Sequence, residues 1–250
     1  MRSKLFLLSA ILLFAFSLPA KKNIKIFIAG DSTAANKEVK AFPETGWGMP
    51  FATLFDSTVI VDNRAKNGRS TKTFISEGLW QKLIDDANEG DYVFIQFGHN
   101  DEVETKASYT PPGDYKTNLA RFITETRNKK ANPVLLTPVS RRQFDSLGHV
   151  KETHAEYSPL VREVAKQYNV PIIDMDEKSK ELLQKFGPEN SKWLFMQLEP
   201  GEHPNYPDGR NDNTHFNELG ARKIAQLVLQ GIKDLKLELA ERIRPPLPVK

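Results

Sequence analysis

The residues of this 250-residue chain that could do chemistry together are Ser32, Gly68, Asn100, Asp212 and His215. A serine hydroxyl attacks a carbonyl carbon only when a neighbouring base takes its proton. Asp212 and His215, with two residues between them, can share one side of a turn. The carboxylate then accepts from the imidazole Nδ1 and leaves Nε2 facing outward, a base held in the right tautomer. Attack on a carbonyl also builds negative charge on its oxygen, and a backbone N–H at Gly68 with the side-chain amide of Asn100 are suitable donors. Each residue has a plainer use as well. Ser32 suits an ordinary turn, Asp212 can cap a following helix, Gly68 can serve its turn alone, and Asn100 can bond within its own loop. The set favours chemistry: Gly30-Asp31-Ser32, then Asn67-Gly68, then Gly98-His99-Asn100-Asp101, then Asp212-Asn213-Thr214-His215.

Something must hold these segments together, and the apolar pattern says what. Residues 24–29, 58–61, 91–97, 133–138 and 170–174 are short β-prone runs, three of them closed by turn residues, and read as strands. Helical spacing predicts helices over residues 79–87, 115–129, 157–168 and 217–236, with a short helical turn within 46–55. Strands alternating with helices imply crossovers and a parallel sheet covered on both faces. Polar residues after strand ends then meet at one edge, which makes Ser32, Gly68 and Asn100 neighbours. Arg141 and Arg142 follow the fourth strand at that edge, where guanidinium groups can bind carboxylates. Residues 187–210, rich in Pro, Gly, Asn and aromatics, show no period and read as a long functional loop. Trp47, Trp193 and Tyr206 could stack on sugars, but core packing is the commoner use of each and is the one expected; His99 is given a structural role as a hydrogen-bonding wall beside Asn100.

Composition narrows the classes. Residues 1–20 have a basic start, an apolar middle and Ala20 before Lys21-Lys22, the layout of a secretory signal peptide. The apolar run is shorter than the roughly 18–20 residues of a membrane span, so no membrane association is expected after cleavage. Without Arg2 and Lys4 the formal charge falls from +3 to +1, which removes any case for nucleic-acid binding. There is no cysteine, so disulfides, thiolate nucleophiles and cysteine-ligated metals are excluded. None of the five histidines shows His-Glu-x-x-His spacing, and no metal site or cofactor is expected. Residues 21–250 are read as one domain, with about 241–250 a proline-rich tail that frays.

The four segments resemble the blocks of the GDSL/SGNH hydrolases. Gly30-Asp31-Ser32 matches the nucleophile block with Thr33 in place of Leu, Gly68 the second, Gly98-His99-Asn100-Asp101 the third, and Asp212 with His215 the last. Within that superfamily the chain is most similar to the rhamnogalacturonan acetylesterases, through Gly46-Trp47-Gly48, Asn63-Arg64-Ala65, Asn67-Gly68-Arg69-Ser70, Gln96-Phe97 and Asp212-Asn213-Thr214-His215-Phe216. The resemblance implies a flavodoxin-like α/β/α sandwich in three layers around a five-stranded parallel sheet. It also implies cofactor-free deacetylation of an acidic plant cell-wall polysaccharide or its oligosaccharides through an acetyl-serine, by an exported, periplasmic or extracellular enzyme. Ser32 would be the nucleophile, His215 the base, Asp212 its partner, and the N–H groups of Ser32 and Gly68 with Asn100 the oxyanion donors. The same blocks serve other esters, including acetylxylan, lipids and thioesters. A non-catalytic carbohydrate-binding protein is a further alternative, although such a chain would be expected to lose Ser32, Asn100 or His215. No Gly-x-Ser-x-Gly elbow is present.

Overall fold

The computed structural model describes residues 22–245, so the leader read at residues 1–20 and the last five residues lie outside the described residues. Five parallel strands form the central sheet in the order β2-β1-β3-β4-β5: β1 (Ile24–Gly30), β2 (Val59–Asn63), β3 (Tyr92–Gln96), β4 (Asn132–Leu136) and β5 (Ile172–Ile173). The chain leaves β1 toward β2 on one side and returns to place β3 on the other. That reversal opens a crevice at the carboxyl ends of β1 and β3, where Gly30 is registered with Gln96.

Alternation along β1 explains the layers. Ile24, Ile26 and Ile28 face one core with Phe51, Leu183, Ile224 and Val228, while Phe27 and Ala29 face the other with Trp80, Leu119, Phe122 and Val161. The first core is covered by α1 (Gly48–Phe51), α6 (Met175–Asn190) and α7 (Glu218–Asp234). The second is covered by α2 (Thr71–Ser76), α3 (Leu79–Asp86), α4 (Pro112–Asn128) and α5 (Tyr157–Gln167). No described helix is long and apolar enough to cross a membrane.

Four segments differ from the expectation. Residues 187–210 are not one loop: a 3-10 turn (Ser191–Leu194) leads into β6 (Phe195–Leu198), which pairs antiparallel with β7 (Arg210–Phe216). The helix α6, broken at Gly187 (φ 73°), and the short α2 were not anticipated. The tail is docked further than its prolines suggested. Arg242 is buried and donates to Lys22 O, Thr58 Oγ1 and Glu238 Oε1, and Arg244 N donates to Leu54 O.

One short segment joins the two halves of the crevice. Thr45 N donates to Phe216 O and Trp47 N to Thr33 O, each at 2.9 Å, so Gly46 sits between the turn after β1 and the end of β7. A Cβ on Gly46 would lie 2.0 Å from Ala35 O and 2.6 Å from Ala34 C, both backbone atoms with no freedom to move aside. Gly46→Ala is expected to lower the unfolding free energy by about 2–3 kcal/mol. Urea titration checks this, and an unshifted midpoint would contradict it.

Candidate active site

Ser32 lies just past the carboxyl end of β1, in a turn closed by Ala34 N and Ala35 N donating to Asp31 O. Its residue is only 9% exposed, yet its hydroxyl meets His215 Nε2 at 2.9 Å. His215 arrives from the β6–β7 hairpin. In a regular strand, residues three apart point to opposite faces, so Asp212 could not meet His215. The hairpin resolves this by a register jump: Phe195 pairs with Phe216, but the next residue, Met196, pairs with Asp212. Residues 213–215 bulge out between them. Asp212 Oδ1 holds the bulge by accepting from Thr214 N at 2.8 Å and His215 N at 3.0 Å. Its Oδ2 accepts from His215 Nδ1 at 2.8 Å and from Arg210 Nη2 at 2.9 Å. Phe195 and Phe216 stack beneath the bulge with ring centroids 5.0 Å apart.

The proton positions follow from these contacts. Burial raises the Asp212 pKa, but the His215 ring bond and charge and the backbone N–H donors outweigh it and hold the carboxyl well below its usual range. An ionised carboxylate only accepts, so the neutral imidazole carries its proton on Nδ1 and presents a lone pair at Nε2. The Ser32 hydroxyl then donates to Nε2. The arrangement can abstract that proton and return it to a leaving group.

The donor side is built around a lysine that the sequence reading did not single out. Lys37, its side chain 1% exposed, donates to Ser32 O at 2.6 Å and Asn67 Oδ1 at 2.8 Å and pairs with Glu44 at 2.7 Å. It ties the serine turn to the loop that carries Gly68 (φ 75°). On the far side of Gly68, the carbonyl of Arg69 accepts from Asn100 Nδ2 at 3.1 Å. A primary amide has two N–H donors, and this bond uses one. Gly98 delivers Asn100 with φ 149°, and any side chain there would strike Pro138 Cγ at 2.8 Å. The structure thus joins Ser32, Asp212 and His215 in one hydrogen-bonded chain and links the loops of Gly68 and Asn100 to each other and to Ser32.

Other expectations are redistributed. His99 is not a hydrogen-bonding wall: neither ring nitrogen has a partner, its ring packs edge-to-face on His154 at 4.5 Å, and burial pushes its pKa well below the ordinary value. Arg141 is tied to Glu102, whose other oxygen meets His154 Nδ1 at 2.9 Å, so its charge is spent inside the protein. Trp47 is buried in the core and donates Nε1 to Gln96 Oε1 at 2.7 Å. Trp193, assigned to packing, is instead 71% exposed. Carboxylates of Glu152, Asp176 and Glu177 converge, but the Lys180 ammonium lies within 2.6–3.5 Å of all three and already supplies the positive charge there.

A strand-end serine, a histidine and aspartate from a late hairpin, and a glycine and an asparagine on intervening loops are the residues, in chain order and in space, that the SGNH blocks call for. The chain belongs to the GDSL-like lipase/acylhydrolase family, whose profile matches residues 28–223. It is 44% identical to the rhamnogalacturonan acetylesterase RhgT of Bacillus subtilis over 224 residues, which are 89% of this chain and 95% of that protein. It is 40% identical to a rhamnogalacturonan acetylesterase of Emericella nidulans, covering 86% of this chain and 87% of the other. Among solved structures, the YxiM protein of Bacillus subtilis aligns with a TM-score of 0.76 at 25% identity, over 87% of this chain and 58% of that one. An acetylxylan esterase of Geobacillus stearothermophilus shares the fold, with a TM-score of 0.60 at 16% identity over 84% of this chain and 94% of its own.

Two buried carboxyls beneath the site make stability depend on pH. Asp31 and Asp101 each have one oxygen without a partner. Burial pushes Asp101 up to about 7, aided by the Asp31 charge and opposed by bonds from Thr71. Between the ordinary value of 3.8 and about 7 the native state therefore binds more protons than the unfolded chain, and stability falls as pH rises. Asp101→Asn keeps an acceptor for Thr71 and removes the charge. It is expected to flatten that decline, by on the order of 3 kcal/mol across the interval. Urea midpoints at intervals from about pH 4 to 7.5 check this, and equal slopes for both proteins would contradict it.

Proposed function

We propose that this chain is a carbohydrate acetylesterase that removes acetyl groups from rhamnogalacturonan through an acetyl-serine. The observation that carries the reading is the unbroken chain from Ser32 Oγ to His215 Nε2 at 2.9 Å and from His215 Nδ1 to Asp212 at 2.8 Å. The acetyl group as substrate is supported by the names of the 44% and 40% identical relatives, which span most of their length. Ser32 attacks the acetyl carbonyl as His215 takes its proton, and Asp212 stabilises the imidazolium. The oxyanion is met by the N–H groups of Ser32 and Gly68 and the second amide N–H of Asn100. His215 then protonates the sugar alkoxide as it leaves, and water repeats the sequence to free acetate.

We infer further that residues 21–250 act as one catalytic unit and that residues 1–20 direct export, leaving the enzyme where pectic polymers occur. The basic-apolar layout of the leader supports this. Edman sequencing of the exported protein is expected to start at Lys21, and a start at Met1 would contradict it.

Acetate release from acetylated rhamnogalacturonan, acetylated xylan and a short aryl acetate, assayed side by side, tests the activity. The first polymer is expected to be the preferred glycan, and equal rates on both polymers would overturn the substrate assignment. Ser32→Ala is expected to lose on the order of 10⁴-fold or more in turnover while remaining folded. Asn100→Ala is expected to lose on the order of 10²- to 10³-fold in kcat. Full turnover in either variant would contradict its role.

A further inference from the structure

A groove of about 960 Å³ runs along the outside of the β6–β7 hairpin and is separate in its lining from Ser32. Trp193 is part of its lining. The residues that follow, Leu194 and Phe195, are 1% exposed, whereas Trp193 is 71% exposed, so the chain turns a large apolar ring out to water just before it enters the core. Its carbonyl accepts from Asn217 Nδ2 at 2.9 Å, and Asn217 also caps α7, so the backbone bearing the indole is anchored. An anchored exposed indole offers a flat apolar face to the C–H face of a sugar ring.

The same groove is lined by a cation whose own hydrogen bonds all go to neutral groups. Arg142 donates Nε to Ser191 Oγ at 3.0 Å, Nη1 to Asn213 Oδ1 at 2.7 Å and Nη2 to Pro188 O, all neutral acceptors. Three of its five N–H donors are used, and among the described residues it makes no direct ion pair, unlike Arg141, Lys192 and Arg210; the acid whose charge reaches it, Glu189, is held by Lys192 at 2.7 Å. Gln197 Nε2 also donates to Asn213 Oδ1 at 3.1 Å, which leaves the Asn213 amide N–H groups as donors on the groove wall. The acidic lining residues, Glu199, Glu202 and Asp208, belong to the turn at the other end of the hairpin. Trp193 and Arg142 thus lie toward one end of the hairpin, and the acids lie at the other beside Arg210, whose charge is taken by Asp212.

We propose that this groove is a glycan subsite that holds a uronate-bearing sugar of the polysaccharide next to the residue being deacetylated, with the ring on Trp193 and the carboxylate at Arg142. The assignment rests on the esterase reading and adds where the rest of the polymer lies. Arg210 connects the two places, because it lines the groove and donates to the Asp212 carboxylate that orients His215.

The test is calorimetric binding of deacetylated, uronate-containing rhamnogalacturonan oligosaccharides to the full protein, beside the same oligosaccharides with carboxylates reduced to alcohols. Trp193→Ala is expected to weaken binding of both by about tenfold. Arg142→Gln is expected to weaken binding of the acidic oligosaccharide and to leave the reduced one unchanged, and Arg142→Lys to recover part of the loss. In parallel, kcat/KM on the acetylated polymer is expected to fall relative to kcat/KM on an aryl acetate in both Trp193→Ala and Arg142→Gln. Unchanged affinity in both variants, or no binding to the parent protein, overturns the subsite. If the parent binds the oligosaccharide through Trp193 but releases no acetate from the polymer, the esterase reading fails and the groove stands. If it releases acetate and the variants bind normally, the groove fails alone.

Discussion

A β-strand shows residues two apart on one face and residues three apart on opposite faces, and this site exists because β7 breaks that rule. The three-residue bulge between Asp212 and Phe216 swings His215 back over the Asp212 carboxylate. The carboxylate itself fastens the bulge by taking two backbone N–H groups. One side chain thus does two jobs: it shapes the backbone and it sets the imidazole tautomer. Losing Asp212 would release both, so its removal cannot be read as the loss of a charge alone.

The rest of the crevice is organised to keep Ser32 within reach of that imidazole. The sheet order places the ends of β1 and β3 at the reversal point, and the Thr45–Trp47 segment laces the serine turn to Phe216. Lys37 adds a buried cation whose contacts all lie at the site: Ser32 O, Asn67 and Glu44. Burying an ammonium is costly unless it is paired and hydrogen-bonded, and here the bonding joins the Ser32 turn to the loop of Gly68. Beneath, the unpartnered oxygens of Asp31 and Asp101 and the unbonded ring of His99 are a concentration of unsatisfied buried polarity directly under the chemistry. Such groups cost stability wherever they occur.

The central sheet was legible because its inner strands β1, β3 and β4 are buried on both faces and so appear as continuous apolar runs. The chemistry was legible because strand-end segments carried residues with complementary roles. What escaped has physical reasons. Residues 210–213, Arg-Asn-Asp-Asn, begin one strand of a two-stranded ribbon, none of them is buried, and their polarity hides the strand. The capping box of α2 is Ser70 with Thr73, without the Glu or Gln that marks the motif in a sequence. For α6 the signal was present, with Asp174 as cap and acids in the first turn. Adjacent arginines could not be told apart by pattern: Arg141 turns inward to Glu102 and Arg142 outward to the groove. Lys37 has no motif at all, since its role depends on three partners brought together only by folding.

The central claim is that Ser32 is made nucleophilic by His215 and Asp212. The most direct measurement is covalent labelling with an aryl fluorophosphonate, followed by peptide mass mapping in the parent protein and in His215→Ala. The account predicts a single adduct on the peptide holding Ser32, formed rapidly in the parent and lost in the variant. Labelling at another serine, or at Ser32 with equal speed without the imidazole, would contradict it.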